Sequence, residues 1–229
     1  EVLITVLEPL PYSGSIDAMG AGWNEALNAV TEQRRDQGIP GDTYLMGLVS
    51  PANDYNEFCR MGCVAGLSSV PWDPRDDSVF AGLSVGFPGQ ETADTVNHEL
   101  GHVLGQGHAP CGVFDADPSY PYSDGGIGVW GWDMMRDELK NPSQFKDFMG
   151  YCYPLWISDW TYTNLWDWNR QVTAGGGPRR LIHGELDAWN TVFLGPFGSI
   201  AWSSIESYSN SPRGDMRTVV LYDVEGEIV

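Results

Sequence analysis

Three of the chain's four histidines fall within eleven residues, His98-Glu99-Leu100-Gly101-His102-Val103-Leu104-Gly105-Gln106-Gly107-His108, in the order H-E-x-x-H-x-x-G-x-x-H. No other feature constrains the fold as much. A helix turns about 100° per residue, so His98 and His102, four apart, stack on one face and can bind one metal ion. Glu99 is rotated off that pair, where it can hold a water beside the metal without being a ligand. Gly105 lets the chain leave the helix sharply and swing His108 back as a third ligand. Three neutral nitrogens with an open fourth position describe a catalytic zinc site rather than a closed structural one. In such a site Glu99 is the general base.

The surrounding pattern supports a helix. Val96, Leu100, Val103 and Leu104 follow the i, i+4, i+7, i+8 rule, giving an apolar stripe on the side opposite the histidines. Thr92 and Asp94 supply cap or first-turn signals ahead of it.

With these residues in place, the chain resembles the metzincin clan of zinc metallopeptidases. The clan's second hallmark is a methionine turn beneath the metal. Met134-Met135 sits in an acidic stretch without turn signals, whereas Met149, in Asp147-Phe148-Met149-Gly150-Tyr151-Cys152, lies in a compact apolar turn and is the better candidate. Met149-x-Tyr151 also resembles the astacin and serralysin pattern, which implies that Tyr151 donates its phenolic hydrogen to the developing oxyanion. The other reading of Tyr151 is a core tyrosine. A closer resemblance spans roughly residues 92 to 170. It rests on His108-Ala109-Pro110-Cys111-Gly112, Tyr120-Pro121-Tyr122, Gly125-Gly126-Ile127-Gly128, Met149-Gly150-Tyr151-Cys152 and Trp156-Ile157-Ser158-Asp159-Trp160-Thr161-Tyr162. These look like a group of secreted bacterial metzincins that includes surface lipoproteins and is similar to the mucin-cleaving metalloproteases of enteric bacteria. Astacins have an acidic residue where this chain has Ala109, so astacin-type anchoring of a mature N-terminus is not expected.

Four cysteines allow three pairings. The resemblance implies that Cys111 and Cys152 flank the metal site and bridge the third-ligand loop to the methionine turn. Cys59 and Cys63 would then close a small local loop. Metal binding by cysteines is the rival reading, but C-x₃-C beside a complete His₃ set has no evident second site. Two disulfides point to an oxidising compartment, hence a secreted or extracellular protein, with surface anchoring through a removed N-terminal segment as one form of it. The opening at Glu1, with no Met and no signal peptide, reads as a processed or trimmed chain.

The net charge is −19, with Lys140 and Lys146 the only lysines. That argues against nucleic acid or anionic membrane surfaces as partners. No stretch approaches the roughly 20 apolar residues of a membrane span.

The expected fold class is α/β (α+β): a metzincin-like catalytic domain with a twisted mixed sheet, an active-site helix and a methionine turn, then a small β-rich C-terminal segment. The catalytic domain is drawn at 1–173, with an upper subdomain of about 1–105 and a lower one of about 106–173. A Gly-rich linker follows at 174–178 and a β-rich segment, a partial β-sandwich, at 179–229. Val2–Leu7 reads as a buried strand. Ile16, Met19, Trp23, Ala26, Leu27 and Val30 keep helical spacing, and Gly38 and Pro40 stop that helix. Strands are expected at 43–49, 62–69 and 79–85, with 62–69 the edge strand that pairs with extended substrate. A helix starts at Ser158 or Asp159. Its Tyr162, Leu165, Trp166 and Trp168 read as core, with a sugar-binding platform as the alternative. Asp115, Asp117 and Asp124 beside Gly125-Gly126 are candidates for Ca2+, although solvated acids are the commoner outcome. Strands near 179–187, 190–194, 199–206 and 217–224 complete the chain, and His183 reads as an ordinary strand histidine.

The expected activity is a zinc-dependent endopeptidase acting on protein or peptide bound in extended form. A glycoprotein-selective, mucinase-like protease is the alternative, and a non-catalytic zinc-binding adhesin is the weakest reading.

Overall fold

A computed structural model describes residues 4–174, 186–194 and 200–208 of the 229. The chain divides into two units, Glu1–Pro178 and Arg179–Val229. The fold is mixed α/β, as expected.

The first unit is built around a three-stranded sheet: β1 (Leu45–Val49), β2 (Gly66–Ser68) and β3 (Ala81–Val85), in the order β1-β3-β2. β3 runs parallel to β1 and antiparallel to β2, with Leu45 opposite Ala81 and Leu67 opposite Leu83. All five residues of β3 are buried. A strand covered on both faces has no polar side to expose, which explains its run of small and apolar residues.

Helix α1 (Trp23–Asp36) covers one face of the sheet. Its Trp23, Ala26, Leu27 and Val30 form one core with Ala81, Leu83 and Val85, and Leu67 of β2 packs against it. Helix α3 (Gln90–Val103) lies on the opposite face, where Val103 and Leu104 join Phe80, Trp168 and Val172, with Met46 of β1 alongside. Between β1 and β2 runs the short helix α2 (Tyr55–Phe58), capped by Asp54, whose side chain accepts the amide of Glu57. A 3₁₀ turn at Asp77–Val79 precedes β3.

Beyond α3 the sheet gives way to two small ladders. β4 (Gly131–Asp133) pairs antiparallel with β5 (Glu138–Lys140), and β6 (Lys146–Asp147) pairs parallel with β7 (Leu155–Trp156). Helix α4 (Asp159–Ala174) closes the unit. Ser158 caps it as expected, its Oγ accepting the amide of Thr161 at 3.0 Å. In the second unit, β8 (Leu186–Leu194) and β9 (Ile200–Tyr208) form an antiparallel pair from Leu186↔Tyr208 to Leu194↔Ile200. None of the helices among the described residues is long and apolar enough to cross a membrane.

Several expectations are corrected. The Val2–Leu7 strand is not formed over its described part: residues 4–7 have no regular structure, and Ile4 and Val6 are 87% and 90% exposed. α1 begins at Trp23, not Ile16, because the Asp17 carboxylate takes the amides of Met19 and Ala21 and folds this stretch into turns. A short acceptor that captures local amides competes with the helix. α3 starts after Gly89 without a side-chain cap; Thr92 falls in its first turn as expected, whereas Asp94 lies further in and accepts from Gln90. The three sheet strands are shorter than 43–49, 62–69 and 79–85. Ala174 is helical, whereas the linker was drawn from 174. The segments drawn at 179–187 and 190–194 meet in one strand where they are described, and β9 covers 200–208 against the expected 199–206. Residues 175–178, His183 and 217–224 lie outside the described residues. Of the α4 aromatics, Trp168 is buried, while Tyr162 and Trp166 are exposed.

Candidate active site

His98 and His102 project from one side of α3 and are both buried. α3 ends at Val103, and Gly105 adopts φ +77°, the left-handed region that glycine enters without a Cβ clash. Its amide reaches His102 O at 2.8 Å and the Gln106 amide reaches Gly101 O at 3.0 Å, a helix-terminating turn. That turn brings His108 back toward the helix. One ligand atom from each histidine lies within 4.8 Å of the others, and His102 Nε2 is 3.1 Å from His108 Nε2.

Each imidazole is held from behind. His98 Nδ1 donates to Phe148 O, His102 Nδ1 to Gln106 O, and His108 Nδ1 to the Asp115 carboxylate, each at 2.8 Å. Carbonyl and carboxylate oxygens only accept, so all three Nδ1 atoms carry a hydrogen, and a neutral ring held this way presents its Nε2 lone pair. In that neutral form the Nε2 atoms of His102 and His108, 3.1 Å apart, face each other as two acceptors. His98 Nε2 is buried without a partner among the described residues. A shared cation accounts for both facts, so the donor set fits a metal ion.

The electrostatics agree. Burial lowers the pKa of His98 and pushes that of His102 down to about 4, so both rings are neutral at ordinary pH, the state in which imidazole ligates. Burial pushes the Glu99 carboxyl up to about 7, with the neighbouring Ser68 hydroxyl working against it. Glu99 lies under the edge strand β2. A Cβ at Gly66 would fall 2.5 Å from Glu99 Oε1, so the carboxyl occupies the space a side chain there would need.

The floor comes from the segment after β6. Met149 is 1% exposed, and its sulfur lies beneath Gly101 of α3. The wholly buried Asp147 takes the Met149 amide on one oxygen and the Ser158 amide on the other, each at 2.8 Å, which fixes this turn to the start of α4. Ala109 N donates to Met149 O at 3.0 Å and Tyr151 N to Cys111 O at 2.8 Å, and the Cys111–Cys152 disulfide ties the same two segments. Cys59–Cys63 is the second disulfide. Tyr151 is not a core residue: it is 57% exposed, with its hydroxyl 3.3 Å from His108 Nε2. Burial of its inner part raises its pKa, so the phenol keeps its proton. Met134 and Met135 are exposed, away from this packing.

Residues 77–151 match the family model of Peptidase M66. That is about a third of the 229 residues, and it takes in β3, α3, the three histidines, Glu99, Met149 and Tyr151. Peptidase M66 is a metallopeptidase family, in keeping with a histidine triad able to hold a metal. No curated protein matches the chain, and no solved structure does.

The acids proposed for Ca2+ do not gather. Asp115 holds His108, Asp117 accepts the Ser119 amide, and Asp124 pairs with Lys146 Nζ at 2.7 Å. Among the described residues, the only group of three or more His, Cys, Asp or Glu side chains positioned to share an ion is the triad. Asp115 therefore has a role at the site that the sequence did not signal, as do the carbonyls of Phe148 and Gln106. The Peptidase M66 match begins after β2, so Gly66 and Ser68 lie outside it. Tyr120 and Tyr122 brace the lower part, their hydroxyls donating to Gly126 O at 2.9 Å and to Asp159 at 2.7 Å.

Proposed function

We propose that the chain is a secreted zinc endopeptidase of the metzincin type, with His98, His102 and His108 as ligands, Glu99 as general base and Tyr151 as oxyanion donor. The observation that carries this is the convergence of three imidazoles, their Nδ1 atoms turned outward to acceptors, beside a buried carboxyl. The Peptidase M66 match over the same residues supports it. Pairing of all four cysteines supports an exported protein.

Zinc held by His98, His102 and His108 would supply Lewis acidity, lowering the pKa of water at the site and polarising the scissile carbonyl. Glu99 receives the proton of the attacking water and delivers it to the leaving amine. A carboxyl held near neutrality by burial suits both directions of that transfer. The Tyr151 hydroxyl, beside His108 and still protonated, donates to the oxygen on which negative charge develops. Among the described residues β2 pairs only with β3, leaving an edge whose backbone groups can take an extended peptide without demanding particular side chains.

The resemblance to mucin-cleaving metalloproteases favours a narrower reading, in which the substrates are glycoproteins. Mass-spectrometric profiling of plain and O-glycosylated peptide libraries tests both, with zinc-loaded wild type against Glu99→Ala. Wild-type-only cuts in plain peptides establish a general endopeptidase. Cuts confined to glycosylated peptides establish the narrower enzyme. No cuts in either library would favour a binding module with a zinc site.

A further inference from the structure

The edge strand carries a feature that neither the triad nor the substrate edge accounts for. Gly66 and Ser68 are two apart on β2 and so face the same side of the sheet. That side is the one covered by α3: Leu67 between them packs into the α1 core, while the space above Gly66 holds the Glu99 carboxyl. Ser68 Oγ leans over Gly82 of β3, lies beside the Glu99 carboxyl, and is buried with no well-formed hydrogen bond among the described residues. A buried hydroxyl without a partner is costly, and a buried carboxyl without a donor is more so. Here the unpartnered Ser68 hydroxyl neighbours the buried Glu99 carboxyl, to which it can donate.

We propose that Gly66 and Ser68 form a cradle for the general base, Gly66 leaving room for the Glu99 carboxyl and Ser68 donating a hydrogen bond that sets its direction. Both are positioning residues. The strand that lines up the peptide then also aims the carboxyl, so substrate and base share one reference. This rests on the reading of Glu99 as the base, but the contact between the two side chains can be tested without it.

The first measurement is a mutant cycle on thermal unfolding of the metal-free protein, comparing Ser68→Ala in the wild-type and Glu99→Ala backgrounds. Ser68→Ala is expected to lower the melting temperature when Glu99 is present and to leave it unchanged or raised when Glu99 is gone. Equal shifts in both backgrounds would overturn the cradle, whatever the activity proves to be. The second measurement is steady-state cleavage by the zinc-loaded protein. Ser68→Ala is expected to lower kcat roughly tenfold or more with KM and zinc content unchanged, and Ser68→Thr to restore most of it. Wild-type kcat in Ser68→Ala, or a loss that follows zinc content, would also overturn it. Retained cleavage by Glu99→Gln would instead refute the role of Glu99 itself, while the unfolding cycle still decides the contact.

Discussion

His98 Nδ1 donates to the carbonyl of Phe148, 2.8 Å away and fifty residues further along the chain. A histidine on α3 is thus oriented by the residue preceding Met149, so the turn around Met149 both supports the helix and aims one imidazole. Asp147 extends the connection by holding that turn to the first residues of α4. The site is a junction of three segments, and damage to the turn should reach the metal without any ligand being changed.

Met149→Ala removes a wholly buried side chain and should destabilise the protein by about 2–5 kcal/mol, whereas Met149→Leu should cost less than about 1.5 kcal/mol. Thermal unfolding with and without zinc checks this. Lost activity at unchanged stability would mean that Met149 acts in the chemistry rather than beneath it.

Asp115→Asn should weaken zinc binding about 10–100-fold, because the carboxylate that orients His108 is replaced by an amide. The carboxylate is largely exposed, so metal-free stability should hardly change. Competition against a chromophoric chelator measures the affinity. Wild-type affinity would show that His108 keeps its orientation without this bond.

The raised pKa of Glu99 has a signed consequence for stability. The carboxyl titrates near 4.5 in an unfolded chain and near 7 when buried here. Its contribution is intact below pH 4.5 and is lost as the pH rises toward 7, since only the unfolded chain readily releases the proton in that window. Metal-free Glu99→Gln cannot ionise. Its melting temperature should match wild type near pH 4.5 and exceed it by several degrees at pH 8. The same difference at both pH values would contradict the burial of an ionisable Glu99.

Cys111 and Cys152 are 41 residues apart and join the His108 loop to Tyr151. Replacing both with serine should cost about 2–5 kcal/mol and weaken zinc binding, because His108 and Tyr151 lose their common tether. The Cys59–Cys63 pair, which closes a short loop between α2 and β2, should affect stability alone. Equal effects of the two double replacements on zinc affinity would argue against a special role for the first.

The histidine triad was legible because its information is local: helical periodicity stacks His98 on His102, and one left-handed glycine returns His108. Met149, Tyr151 and the Cys111–Cys152 pairing followed from resemblance, since nothing nearby in sequence shows that residues 147–152 pass under α3. What stayed hidden depends on partners distant in the chain. Phe148 O, Gln106 O and the Asp115 carboxylate support the imidazoles through contacts that no spacing rule describes, and by its sequence Asp115 reads as a solvated acid or, less commonly, a calcium ligand. The apolar run at Val2–Leu7 suited a strand, but hydrophobic pattern does not reveal whether a sheet edge is there to receive it. The early start assigned to α1 failed at Asp17, where a local side-chain bond prevailed over periodicity.

The most direct test measures zinc stoichiometry and peptide cleavage together in wild type and Glu99→Gln. Expected is one zinc bound per chain in both proteins, zinc-dependent cleavage by wild type, and a loss of about 10²–10⁴-fold in Glu99→Gln. Cleavage by the metal-free protein, or undiminished cleavage by zinc-loaded Glu99→Gln, would contradict the assignment of the triad and Glu99 as the catalytic centre.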